Sequence, residues 1–174
     1  MKIERRLVTS LVVIMMLTAA ALANQVTVDY DHSANFGNYH TYSWEKVKTA
    51  NSIWDARVKE AIDKELAAKG WTQVPSGGDV AVVAIETTHT QQQLNTFYNG
   101  FGGRRWGGFG DSTTTVENYK VGTLVVNMFS AGSKNLIWRG TSSSALSGNP
   151  EKNAKNLDKD VQKLFGHFPP TMKS

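Results

Sequence analysis

Hydrophobic and polar positions alternate with a period of two along several stretches of the chain, and the clearest lies between Val116 and Ser144. Leu124, Val126 and Met128 interleave with Val125, Asn127 and Phe129, the polar run Ser130–Asn135 follows, and Leu136-Ile137-Trp138-Arg139-Gly140 resumes the pattern. Two β-type runs separated by a short polar turn form a hairpin. Both faces carry apolar residues, so the hairpin belongs in the middle of its sheet. Val26, Val28 and Tyr30 alternate with Thr27 and Asp29, and Tyr39–Trp44 repeats the pattern with aromatic and β-branched residues. Val80–Ile85 within Asp79–Thr88 is apolar on both faces, as an internal strand is. Thr113–Tyr119 is a further strand that either continues through Gly122 with a bend or stops there.

Two segments switch to the helical period. From Ile53 to Lys69 the residues Trp54, Val58, Ala61, Ile62 and Leu66 form one stripe, with Ser52 expected as the N-cap, Asp55 as a weak reciprocal cap, and Gly70 just past the end. Asn149-Pro150-Glu151 opens the second helix with a capping side chain, a proline tolerated at the first position, and an acid in the first turn. Its stripe is Ala154, Leu157, Val161, Leu164 and Phe165, and it ends near Gly166, before Pro169-Pro170. The order β-β-α-β-β-β-β-α, with two one-sided helices, predicts an α+β fold: a two-layer domain whose mostly antiparallel sheet carries both amphipathic helices on one face.

The N-terminus changes what the composition means. Lys2, Arg5 and Arg6 precede an uncharged run from Leu7 to Ala23 ending Ala21-Leu22-Ala23, the pattern of a signal peptide spanning residues 1–23 and cleaved before Asn24. The expected mature chain, 24–174, forms a single domain and has no second apolar run long enough to span a bilayer. Its formal charge falls from +4 to +2, because three cations and Glu4 leave with the leader. So small a charge gives no reason to expect nucleic-acid binding. With no cysteine, there can be no disulfide, thiolate nucleophile or lipidated N-terminal cysteine. The expected location is the periplasm or the exterior.

Candidate chemistry concentrates in an insertion at about 91–111, where Phe97, Tyr98, Phe101, Trp106 and Phe109 are set among glycines beside Arg104 and Arg105. Rings that stack and arginines that form charge-assisted bonds suit an envelope protein, an anionic glycan or a lipid headgroup. A self-packing or disordered insertion has the same composition. Gly100, Gly102 and Gly103 have neither dinucleotide-fingerprint nor Walker-loop spacing. His32, His40, His89 and His167 show no zinc-motif spacing; Glu86 with His89 comes nearest to a metal pair, and no metal or cofactor is expected. Ser142–Ser144 lack a nucleophile elbow, and Asp29 with Asp31 reads as surface charge. Arg139 is expected to cover the sheet with its stem and pair with an acid on the first strand.

The chain carries, in order, Val28-Asp29-Tyr30-Asp31 leading to Thr41-Tyr42-Ser43-Trp44, then Leu66-Ala67-Ala68-Lys69-Gly70, Asp79-Val80-Ala81-Val82, Gly122–Val126, Leu136–Gly140 and Phe168-Pro169-Pro170. Together these segments resemble the domain-of-unknown-function 4136 family of bacterial exported proteins and lipoproteins. The resemblance implies export and an α+β fold, carries no transferable activity, and departs from many members in lacking a lipobox cysteine. The resulting expectation is a non-enzymatic envelope protein acting through protein or surface binding. The alternatives are a hydrolase of cell-wall or carbohydrate material and a self-associating assembly accessory using an exposed strand as a homo-oligomer contact.

Overall fold

The computed structural model describes residues 25–98 and 112–170. The expected leader therefore lies outside the described residues. The strands are β1 (Gln25–Tyr30), β2 (Thr41–Lys48), β3 (Thr72–Gln73), β4 (Val80–Tyr98), β5 (Ser112–Ser130) and β6 (Leu136–Ala145); the helices are α1 (Ser52–Ala68) and α2 (Pro150–Leu164). One six-stranded sheet runs in the order β1-β6-β5-β4-β2-β3, antiparallel except where β2 pairs with β3 and β4. The architecture is the expected α+β fold, a largely antiparallel sheet with two helices packed against it, and the β5–β6 hairpin lies inside the sheet, between β1 and β4.

The helix ends follow from their capping groups. Asn51, not Ser52, caps α1, its Oδ1 accepting from Trp54 N at 3.0 Å. The asparagine is one residue earlier and places its oxygen over the third helical N–H, which leaves Ser52 free to begin the helix. Asp55 does reach back, accepting from Thr49 N at 2.8 Å. At the other end Gly70 has φ 82°, Trp71 N donates to Leu66 O and Gly70 N to Ala67 O, each at 3.0 Å. That double bond is a Schellman ending, and the positive φ is why glycine stands there. Asn149 caps α2 through Glu151 N and Lys152 N.

The helices bury Val58, Ala61, Ile62 and Leu66 of α1 and Leu157, Val161 and Leu164 of α2 against the sheet face formed by Val80, Val82, Ala84, Leu124, Val126 and Met128. Asp63 joins the layers, since its Oδ1 accepts from Tyr42 Oη at 2.7 Å and Trp44 Nε1 at 2.8 Å. Burial and this acidic partner push the Tyr42 hydroxyl well above the usual phenol range. Trp138 stacks on Phe165 at 5.1 Å between centroids, and Phe168 meets Trp138, Phe165, Trp71 and Phe36 edge-on. The cluster closes over Gly140, where an added Cβ would strike the Trp138 ring and lie 2.8 Å from Leu164 Cδ2.

A strand end also differs from the sequence expectation: the segment expected to leave the sheet at Gln91 instead continues as strand to Tyr98. Of the two alternatives at Gly122, β5 takes the one that runs on. Threonine and glutamine carry no apolar alternation there, so the extended pairing has no hydrophobic signature.

Replacing Leu66 by Ala is expected to cost roughly 2–5 kcal/mol of unfolding free energy, as truncation of a fully buried leucine does. Gly140→Ala is expected to cost about 1–3 kcal/mol through overpacking beneath Trp138. Urea unfolding of both variants measures the two values, and a Gly140→Ala protein as stable as the parent contradicts the packing described.

Candidate functional site

The β4–β5 hairpin is far longer than the strands beside it. Its pairs run without interruption from Val80↔Ser130 to Tyr98↔Ser112, whereas β2 follows β4 only to Ile85 and β6 follows β5 only to Val121. From the Gln91↔Tyr119 pair outward, just past the Leu146 N to Lys120 O bond, the hairpin is a two-stranded arm with no neighbouring strand on either edge, roughly 30 Å long at about 3.4 Å per residue. Thr90, Gln91 and Gln92 on one strand and Thr115 to Asn118 on the other are exposed. At its base Tyr119 Oη donates to Gln91 Oε1 at 2.8 Å, and the Gln91 amide nitrogen meets His89 Nε2 at 3.2 Å. This cross-strand ladder stiffens the root of a ribbon that would be marginal alone.

Of the binding residues expected from sequence, Phe97 and Tyr98 fall on the last pairs of the arm, opposite Thr113 and Ser112. Phe101, Arg104, Arg105, Trp106 and Phe109 lie outside the described residues.

A second site lies at the arm's root, and sequence reasoning missed it. Glu86 pairs with Leu124, and Leu124 pairs with Ser142, so Glu86 and Ser142 share the helix-covered face, two strands and about 10 Å apart. Gly122, one pleat further along, leaves the floor open: a Cβ there would lie 3.2 Å from Glu86 Oε1 and 3.1 Å from Leu146 Cδ2. Asn153, Leu157 and Asp160 of α2 close the roof, and Trp54 of α1 closes one side. The Trp54 side chain hydrogen-bonds Glu86, with the indole N–H as donor. The pocket, partly open to solvent, leaves room of about 20 Å³. Glu86 Oε2 and Ser142 Oγ are both buried and have no hydrogen-bond partner among the described residues. Asp160, only 4% exposed, sits on the otherwise apolar stripe of α2. Burial raises the Glu86 carboxyl above its ordinary range, and the Trp54 bond opposes this only in part.

The remaining candidates have structural roles. His89 lies three residues from Glu86 on the opposite strand face, beside Gln91, so the pair does not converge. His32 packs on Tyr30 at 4.5 Å, and the His40 backbone N–H binds Asp79. Asp79 accepts from His40 N, Thr41 N and Thr41 Oγ1, which holds its carboxyl below the usual range and fixes the start of β2. Asp31 shapes a turn by accepting from Ser33 N and Oγ. Arg139 Nε donates to Asn127 Oδ1 at 2.7 Å, and Asp29 is the residue opposite it on β1. Ser142 lacks the hydrogen-bonded base that a serine nucleophile requires. No group of three or more His, Asp or Glu side chains gathers among the described residues, and none of their helices is long and apolar enough to cross a membrane.

Among solved structures, a PDZ domain protein from Parabacteroides distasonis is similar, with 14% identity and a TM-score of 0.56 over 90% of this chain. This chain spans 39% of that protein's length, and the likeness is one of fold. The PelC dodecamer from Paraburkholderia phytofirmans aligns over 81% of this chain and 97% of its own at 8% identity and a TM-score of 0.48. A putative neuraminyllactose-binding hemagglutinin homolog from Helicobacter pylori aligns over 78% and 88% at 8% identity and 0.43. No curated protein matches the sequence. The family model described as a domain of unknown function, DUF4136, matches residues 26–170, and the chain belongs to that family.

For Glu86 the direction of the shift sets a pH dependence. Its folded-state pKa lies above the unfolded one, so the folded protein binds the extra proton and stability declines as pH rises from the unfolded pKa through the folded one. Glu86→Gln is expected to remove that decline. Thermal unfolding in chelator-containing buffer between about pH 4 and pH 8 tests this, and parallel profiles for parent and variant contradict it.

Proposed function

We propose that this member of the DUF4136 family is a non-enzymatic binding protein of the bacterial cell envelope, exported by residues 1–23 and engaging its partner through the β4–β5 arm. The observation that carries the reading is the arm itself: an uninterrupted ladder extending roughly 30 Å past its neighbouring strands. Unpaired N–H and C=O groups along both edges offer a template for an added strand. A two-stranded ribbon gains stability from a third strand, so contact along the arm benefits both participants.

The segment between Tyr98 and Ser112 supplies the side chains for recognition. Phe101, Trp106 and Phe109 present flat apolar rings, and Arg104 and Arg105 meet an acidic group on a protein, glycan or lipid headgroup. Such a contact needs no reacting group.

Replacing Phe101, Arg104 and Trp106 together by Ser is expected to weaken co-purification with envelope material by at least about tenfold, with the melting temperature unchanged. Undiminished capture removes the arm from the binding role.

The same open edges favour a second reading, pairing between arms of two copies. Size-exclusion chromatography with light scattering on the purified protein separates the two. A concentration-dependent dimer or larger species supports self-association, and a monomer up to about 100 μM removes it.

A further inference from the structure

We propose that two copies of this chain pair through the outer edge of β4, antiparallel across a two-fold axis at Gln92, so that two arms become one four-stranded ribbon in the order β5-β4-β4-β5. This pairing rests on the self-association reading of the arm, to which it adds an edge and a register. The hydrogen-bond phase decides which backbone groups are available. Asp79 O accepts from Ala131 N, so the odd-numbered residues of β4 turn their N–H and C=O groups toward β5 and the even-numbered ones turn theirs outward. β2 follows that outer edge only as far as Ile85. Thr88, Thr90 and Gln92, and the backbones of Leu94 and Thr96 after them, therefore meet no neighbouring strand.

Among the described edges, this one lacks any device against pairing. Proteins keep sheet edges apart with charge, proline, bulges or short strands. β3 has two residues, β1 carries Asp29, and the β5 side of the arm carries Glu117 and Lys120, with Lys120 O already bonded to Leu146 N. From Thr87 to Tyr98, β4 has no Asp, Glu, Lys, Arg, Pro or Gly, and its ladder with β5 has no bulge. Thr87 to Gln92 are exposed. A long, flat and uncharged edge of this kind is a template for a further strand.

A second copy is the strand that fits it. With the axis at Gln92, that residue meets itself, Thr90 falls opposite Leu94 of the second copy and Thr88 opposite Thr96, and each such even-numbered pair exchanges two N–H to C=O bonds. Threonine hydroxyls and glutamine amides both donate and accept, so like can meet like without repulsion. Gln92 is also the midpoint of Glu86–Tyr98, the part of β4 that runs past β2, so no other axis pairs more of it. Four strands are stable where two are marginal. The two-fold uses the one β4 edge of each copy and closes at two, and it leaves both β5 edges on the outside of the ribbon for an envelope partner.

Because the chain has no cysteine, each engineered variant carries a single thiol. Gln92→Cys is expected to give a covalent dimer on mild oxidation, since its two thiols lie opposite each other at the axis, within the Cα separation that a disulfide spans. Thr88→Cys and Asn118→Cys, the latter directly across the β4–β5 ladder from Gln92, hold their thiols away from the axis and are expected to run as monomers on a non-reducing gel. Gln92→Lys changes an exposed residue and sets two ammonium groups face to face, and it is expected to raise the dimer dissociation constant about tenfold or more by light scattering, with the circular dichroism spectrum unchanged. A dimer that cross-links through Gln92→Cys and weakens in Gln92→Lys supports the pairing. A dimer that cross-links through Asn118→Cys instead, or that Gln92→Lys leaves intact, overturns this edge and leaves self-association standing. A parent protein that stays monomeric up to about 100 μM overturns both.

Discussion

The packing of Trp138 over Gly140 is the contact on which the rest of the molecule depends. A large indole can lie flat on a central strand only if the residue two places on has no side chain, and Gly140 meets that condition. Once flat, the ring receives Phe165 from the end of α2 on its face and Phe168 on its edge. Phe168 in turn brings in Phe36 from the β1–β2 connection and Trp71 from the turn after α1. One missing Cβ thus lets four distant segments converge, and α2 is seated at a height that puts Leu157, Val161 and Leu164 onto the sheet.

From that seat the sheet divides into two regimes along its own strands. Near Trp138 the helix-covered face is apolar along Val80, Val82 and Ala84 on β4 and Val126 and Met128 on β5. Further along, Glu86, Ser142 and Asp160 replace aliphatic side chains at the same inward parity. β1 and β6 end within three residues of Ser142, and past that point only the two longest strands continue. The buried polar group therefore sits at the boundary between packed domain and solvated arm, where helices and neighbouring strands both stop.

Much of this was legible from the residues. The helices were plain because Asn149, Pro150 and Gly70 are chemically specific punctuation and the stripes repeat at the helical period; the one-residue error at Asn51 arose because serine and asparagine compete for the same capping role. The β5–β6 hairpin and its place inside the sheet, with a strand on either side, followed from apolar residues on both faces. In the far half of the hairpin the β5 strand was legible through the β-branched run Thr113–Val116, whereas Gln91–Tyr98 of β4 was not, since an exposed ladder needs no hydrophobic alternation. The cavity had a readable signal that periodicity alone did not weigh. Glu86 continues the parity of Val80, Val82 and Ala84, and Asp160 stands three residues after Leu157 and four before Leu164, squarely on the apolar stripe.

The dimensions of the arm carry a mechanical consequence. A stiff ribbon rooted at Glu86 and Gly122 is a lever whose short end lies under α2, so a pivot of about 10° at the root sweeps a far end roughly 30 Å away through about 5 Å. A displacement of that size is comparable to the spacing between strands, enough to decide whether a docking strand finds its register. The fulcrum, rather than the tip, is then the place where a small change in packing would be felt most strongly at a distance.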